Sequence, residues 1–317
     1  MKAGREHNKG FAAGAVVSGR HAQLLHRATY ASIGTALLLI AIKTVAWTAT
    51  GSVSLLSSLV DSLLDLAASL VTFVGVRFAL QPADAEHRFG HGKAEPLAGL
   101  AQSAFVAGSA VFVLVEAVSR LAVPRPVANA EFGIAVILVS TVITGLLVAY
   151  QRHVVRLTGS VAIGADSLHY RGDLMLNATV LLSLGLYSWL EVSAIDSMFG
   201  AGIAVYILYG AYRIARMAFD LLIDHELPES DRERIRAIAL SHREVRELHD
   251  LRTRSAGAQS FIQFHLELDG NMTLARAHVI SDEVESALRA AFPHAEVIIH
   301  QDPEGAELEA SAFGRGE

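Results

Sequence analysis

Six apolar segments, each long enough to cross a lipid bilayer, follow one another at about residues 30–50, 52–80, 96–121, 132–150, 160–190 and 195–222. Hydrocarbon offers no water to complete backbone hydrogen bonds, so runs of this length fold as helices. One such run could be the buried helix of a soluble core. Six in succession, several without a charged residue over most of their length, could not. Composition agrees: 52% of the residues are hydrophobic and only 18% charged, against about 25% charged in ordinary soluble domains. The first 27 residues are polar and the first apolar run is too long for a secretory signal.

Lys and Arg in the short connections set the orientation. The N-terminal arm carries Lys2, Arg5, Lys9, Arg20 and Arg27; the second connection has Arg77, Arg88 and Lys93, and the fourth Arg152 and Arg156. The third has Arg120 and Arg125, and the first and fifth have none. Both termini and connections two and four are therefore expected in the cytoplasm, with the chain multi-pass in the cell's inner membrane.

After Leu227-Pro228 the pattern changes to that of a soluble domain. Ser230-Asp231-Arg232-Glu233 has capping-box spacing and predicts the start of a short helix. Strands are expected at 248–253, 260–268 and 296–300, with a helix at 274–292. The expected fold is thus an α-helical membrane protein with six transmembrane helices and a C-terminal cytoplasmic α+β domain of αββαβ, ferredoxin-like order. Its parts are an arm (1–27), a six-helix membrane domain (28–225), a soluble cytoplasmic domain (226–303) and a disordered, Gly-, Ala- and Glu-rich tail (304–317).

With no cysteine, disulfides, thiolate nucleophiles and Cys-based zinc ribbons are excluded, and any metal must be held by His nitrogen and carboxylate oxygen. A net charge of −6 provides no basic field for nucleic acid. Ionisable residues inside membrane helices are costly and mark function. Asp61 and Asp65 lie at i, i+4 on the second segment, His169 and Asp173 at i, i+4 on the fifth. If the two faces meet, three carboxylates and an imidazole can surround a tetrahedral divalent cation. Without a cation the same carboxylates repel and take up protons, so metal and proton become alternative occupants. Asp166 shares the His169 stripe and reads as part of an ion entrance. Lys43 reads as a snorkelling side chain with no task in transport.

Two further sets stand in polar surroundings. Asp84, His87 and His91 in the second connection could hold a metal, or could be an ordinary polar loop. His249, His265, His278, His300 and Asp302 come from four elements of the soluble domain and could hold one or two zinc ions, or be satisfied structural residues. An imidazole with three carboxylates suits Zn2+ and Cd2+ better than Mg2+ or Ca2+, which prefer six or more oxygens.

Together, the stretch 60–65 (VDSLLD), the loop 81–93 with its QPAD and GHGK ends, Leu168-His169-Tyr170 with Asp173, the segment 249–254 (HDLRTR) and the segment 297–303 (VIIHQDP) resemble the cation diffusion facilitator family, most closely its bacterial zinc and iron efflux members. The resemblance spans about residues 24–303. It implies a homodimer that exports a divalent cation in exchange for protons by alternating access, with Zn2+ both as cargo and as a structural or regulatory ion. It also implies a transport site at Asp61, Asp65, His169 and Asp173, a loop site at Asp84, His87 and His91, and a cytoplasmic site at His249, His265, His278, His300 and Asp302. Lys93 and Asp224 match an ion pair that holds relatives together as dimers. Two rival readings are disfavoured. An intramembrane metallohydrolase would need a motif such as H-E-x-x-H, which is absent. A membrane-anchored metal sensor would have no use for carboxylates in mid-membrane.

Overall fold

The computed structural model describes residues 19–51, 53–122, 131–190, 194–257 and 259–305. The arm up to residue 18 with Lys2, Arg5 and Lys9, the connection around Arg125 and the tail from residue 306 lie outside the described residues. The chain divides into a helical unit, residues 18–222, and a C-terminal unit beginning at residue 223.

The helical unit consists of α1 (Gly19–Thr50), α2 (Val53–Ala79), α3 (Ala94–Ala122), α4 (Glu131–Thr158), α5 (Val161–Leu190) and α6 (Ala194–Leu222). Five of them contain apolar stretches sufficient to cross a membrane: Gly19–Thr50, Leu55–Ala79, Ala94–Ser119, Ile134–Thr158 and Met198–Leu222. α5 is as long but carries Asp166, His169, Arg171 and Asp173 in its first half. α1 begins well before the apolar run at residue 30, because Leu25 and Ala28 are already buried on its inner face. Both α1 and α4 end at a glycine in the left-handed region, Gly51 (φ 62°) and Gly159 (φ 66°). There a residue without Cβ reverses the chain at little cost.

Polarity in this unit is inverted relative to a soluble protein. Phe112, Leu146 and Val45 are 72%, 70% and 69% exposed, whereas Ser62, Ser69, Thr72 and Gln151 are fully buried. Lipid solvates apolar side chains, so the polar and small residues are the ones that gain by facing each other. α3 packs along α6 and α1 along α2, while α5 touches α3, α4 and α6 and meets α2 over a shorter stretch. The helices approach closely where side chains vanish. A Cβ on Gly75 of α2 would lie 2.2 Å from Ala98 Cβ of α3.

The C-terminal unit runs α7 (Glu229–Leu240), β1 (Glu247–Ala256), β2 (Gln259–Leu268), α8 (Leu274–Ala291) and β3 (Ala295–Pro303). Its sheet has the order β1-β2-β3, antiparallel then parallel. Ile262, Phe264, Leu266 and Leu268 of β2 join Ile280, Val284 and Leu288 of α8 and Ile235 of α7 in one core. The period of two along β2 therefore turns Gln263, His265 and Glu267 to the opposite face. The start of α7 differs from expectation. Its N-cap is Pro228 with no side-chain cap, and Pro228 O accepts the amides of Asp231 and Arg232 at 2.9 and 3.1 Å. The proline, whose fixed φ suits a helix entrance, starts the helix two residues early and leaves the capping box unused. At α8, Thr273 Oγ1 accepts the Arg276 amide.

Two predictions follow from this packing. Gly75→Leu must wedge α2 from α3 and should cost on the order of 1–3 kcal/mol, seen as a lower melting temperature of the purified protein. Gly108→Ala, with nothing within 4 Å of its Cβ, should be silent. The second concerns acid. The Arg276 guanidinium, hydrogen-bonded to Glu244, holds that carboxyl below its ordinary range. A depressed carboxylate stabilises the fold above its unfolded pKa, and that stabilisation is lost as pH falls through the lower folded value. Glu244→Gln should therefore flatten the decline in melting temperature of the metal-free protein below about pH 4.5; a decline as steep as the parent's would show that the pair adds no stability.

Candidate metal sites

In the helical unit, α2 and α5 bring three of the four predicted side chains together. His169 Nε2 lies 2.8 Å from Asp65 Oδ1 and 3.8 Å from Asp173 Oδ2. His169 and Asp65 side chains are only 7% and 13% exposed. Phe105 of α3 and Tyr170 pack edge-on against the imidazole at 5.9 and 5.7 Å. One ligand atom from each of Asp65, His169 and Asp173 falls within 4.8 Å of the others, a spacing that a single ion bridges. Asp61 stands outside this group and is exposed.

Two expectations are corrected here. Lys43 does not snorkel: its Nζ donates to Ser58 O at 3.0 Å and Ser62 Oγ at 2.7 Å, between α1 and α2. Asp166 lines no entrance. It is fully buried and accepts hydrogen bonds from Ser69 Oγ at 3.1 Å and Gln151 Nε2 at 2.7 Å, inside a polar network joining α2, α4 and α5. Gln151 also donates to Ser32 Oγ of α1 at 2.9 Å, and the Tyr170 and Ser69 hydroxyls lie 3.0 Å apart. The sequence marks the Asp166 network only by Ser, Gln and Tyr scattered over four segments, which no single-helix spacing connects.

The connection between α2 and α3 gathers Asp84, His87 and His91. Asp84 Oδ1 lies 3.2 Å from His87 Nδ1 and Oδ2 lies 3.3 Å from His91 Nε2. The His87 and Glu86 amides donate to the same carboxylate at 2.6 and 2.9 Å. The amide of His87 is the main cause holding the Asp84 carboxyl below the usual carboxylate range, so it stays ionised and ready to bind a cation. His91 is buried and stacks edge-on against Phe78 at 4.6 Å.

In the C-terminal unit, strand register does the assembling. His249 of β1 pairs with His265 of β2, which pairs with His300 of β3, so three imidazoles form one rung across the outer face of the sheet. Their ring centres are 5.2 and 4.6 Å apart. Asp302, two residues beyond His300, lies 2.8 Å from His265 Nδ1, 3.2 Å from His249 Nε2 and 3.2 Å from His300 Nε2. Burial of Asp302 opposes its ionisation, but the hydrogen bond from His265 and the neighbouring imidazoles outweigh it and hold the carboxyl low. His249, His265 and Asp302 form the tight group, with His300 at its edge. His278 is not brought in: it sits exposed on α8, 3.6 Å from Asp282. Ala277 and Ile280 face the core, and a helix position between them points away from it. Two residues went unnoticed in the sequence. Glu267 lies 3.4 Å from His249 Nδ1, and its period-two spacing from His265 was a usable signal. Asp250, 3.8 Å from His265 Nε2, is placed by a bulge and a positive φ of 48°, which leave no sequence signature. Lys93 Nζ donates to Leu222 O at 3.2 Å, and Asp224 lies 3.4 Å from Arg254 Nη1.

The membrane and loop groups each also contain a buried atom with no hydrogen-bond partner among the described residues, Asp173 Oδ2 and His91 Nδ1. Buried polar atoms are rarely left orphaned. Imidazole nitrogen and carboxylate oxygen are the donor set of Zn2+ and its borderline neighbours, so the residues present fit such an ion.

The family model described as the cation efflux transmembrane domain matches residues 29–223, and that of the cation efflux protein cytoplasmic domain matches residues 227–304. The chain is 48% identical over 283 residues to the cation-efflux pump FieF of Klebsiella pneumoniae, covering 89% of this chain and 94% of that protein. It is 47% identical over the same length to FieF of Salmonella arizonae. A solved chain from work on the mode of action of CzrB is 44% identical, covers 25% of this chain and 99% of its own length, and has a TM-score of 0.24.

The loop yields a further prediction. Asp84→Asn keeps an oxygen for the two amides but removes the charge, so the protein should stay folded and lose one bound Zn2+ per protomer in equilibrium dialysis. Asp84→Ala should in addition loosen the 81–93 loop to proteolysis. An unchanged zinc count in Asp84→Asn would remove Asp84 from any metal site.

Proposed function

We propose that this chain, which belongs to the cation efflux family, is a proton-coupled antiporter that exports divalent metal cations, Zn2+ first among them and Cd2+ or Fe2+ as further cargo, by alternating access as a homodimer. In this reading residues 28–225 are the transport domain and 226–303 a cytoplasmic metal-binding domain, with both termini in the cytoplasm. The cargo binds at Asp65, His169 and Asp173, with Asp61 as the fourth donor. Asp84, His87 and His91 form a loop site, and His249, His265, Asp302 and His300 hold Zn2+ that ties three strands together. Lys93 and Asp224 contribute to holding the dimer.

The observation that carries the reading is the meeting of Asp65 on α2 with His169 and Asp173 on α5, in a unit with five helices long and apolar enough to cross a membrane. Asp61 stands one turn of α2 from Asp65. Desolvated carboxylates must be neutralised, by a metal or by protons, and a site that alternates between the two couples their opposite movements.

Reconstituted vesicles containing a zinc-sensitive dye test this directly. Asp65→Ala and His169→Ala should each reduce proton-driven zinc uptake by on the order of a hundredfold or more, while both proteins elute as the parent does. Uptake near the parental rate in both variants would displace the cargo from this site.

A further inference from the structure

Lys43 has no task in the reading above, yet the fold spends a membrane lysine on one place. Its side chain leaves α1 and crosses to α2, where the ammonium donates to Ser58 O at 3.0 Å and to Ser62 Oγ at 2.7 Å. Ser62 is fully buried and is the neighbour of Asp61 in sequence. Ser58, Ser62 and Asp65 share one stripe of α2 at i, i+4 and i+7, so the ammonium is bonded to the face that carries Asp65. A lysine stem can carry its charge to the membrane surface; this one carries it toward the carboxylates.

Charge conservation says what the ammonium does there. Three ionised carboxylates beside a neutral imidazole hold three negative charges. One ammonium leaves two, which a divalent cation cancels. Without it, the loaded site would keep a net negative charge in a medium that solvates charge poorly, and the cation would face one carboxylate too many. A transported ion must be held tightly enough to enter and weakly enough to leave.

We propose that Lys43 is a positioning residue of the transport site: its ammonium, fixed on α2 by Ser58 and Ser62, is a permanent counter-charge that renders the metal-loaded site neutral and keeps the metal releasable. This rests on the transport reading of Asp61, Asp65, His169 and Asp173.

The full-length protein in vesicles tests it with Lys43→Arg, Lys43→Gln and Lys43→Met. Glutamine keeps an amide donor for Ser58 and Ser62 but no charge; methionine keeps neither; arginine keeps both. Two quantities are read: zinc uptake against zinc concentration, and the component of equilibrium zinc binding that Asp65→Ala abolishes. Lys43→Gln and Lys43→Met should lower the half-saturating zinc concentration by on the order of tenfold, tighten that binding component in step, and reduce the maximal rate. Lys43→Arg should restore most of the difference. If Lys43→Gln matches the parent in both quantities, the side chain is only a tether between α1 and α2 and the proposal fails, even if Lys43→Met misfolds. An arginine variant as altered as the glutamine one would overturn it equally. Parental transport by Asp65→Ala would instead sink the transport reading itself, which separates the two failures.

Discussion

The helical unit depends on the contact between Asp65 of α2 and His169 of α5, 2.8 Å apart. These two helices meet over a short stretch, where the Ser69 hydroxyl against Asp166 and Tyr170 adds to this pair. The other side of α5 is bound differently. Leu168 fills the space over Gly210 of α6, and Ile207 of α6 fills the space over Gly172, with added Cβ atoms falling 2.8 Å from those side chains. α5 is thereby fixed to α6 by shape and to α2 by charge.

The C-terminal unit obeys the opposite solvent and reaches a comparable donor set by other means. Burying Ile262, Phe264, Leu266 and Leu268 against α8 leaves His265 no choice of face. Register then supplies His249 and His300 on either side. The hydrophobic pattern, which contains no ligand, therefore determines where the ligands stand. In the membrane helices the apolar pattern is too uniform to do this, and the ligands themselves mark the inner face.

That difference explains what could be read beforehand. The two-part architecture, the αββαβ order and the grouping of Asp65 with His169 and Asp173 follow from periodicity and the cost of membrane charges, both local properties of the sequence. The errors share one cause: each concerned which neighbour a side chain finds. Lys43 was placed by its distance from a helix end, but its acceptors belong to α2. Asp166 was placed by its own stripe, but Ser69 and Gln151 close over it from other helices. His278 was grouped by composition, though its position on α8 faces away from the sheet's outer rung.

Hydration separates the loop group from the membrane group. Asp84 and His87 are half exposed, at 53% and 50%, and only His91 is buried, so an ion bound there keeps part of its water. At Asp65 and His169 exposure falls to 13% and 7%, and an ion must exchange nearly all its water for protein donors. Stripping a divalent cation of water is costly, and the cost is met only where the replacement ligands are already ionised and held in place. Asp84 reaches that condition through amide hydrogen bonds in a solvated loop. The membrane group lacks those amides and relies on carboxylates whose charge neighbouring imidazole and ammonium groups must balance. The metal-free membrane site is therefore the one under electrostatic strain.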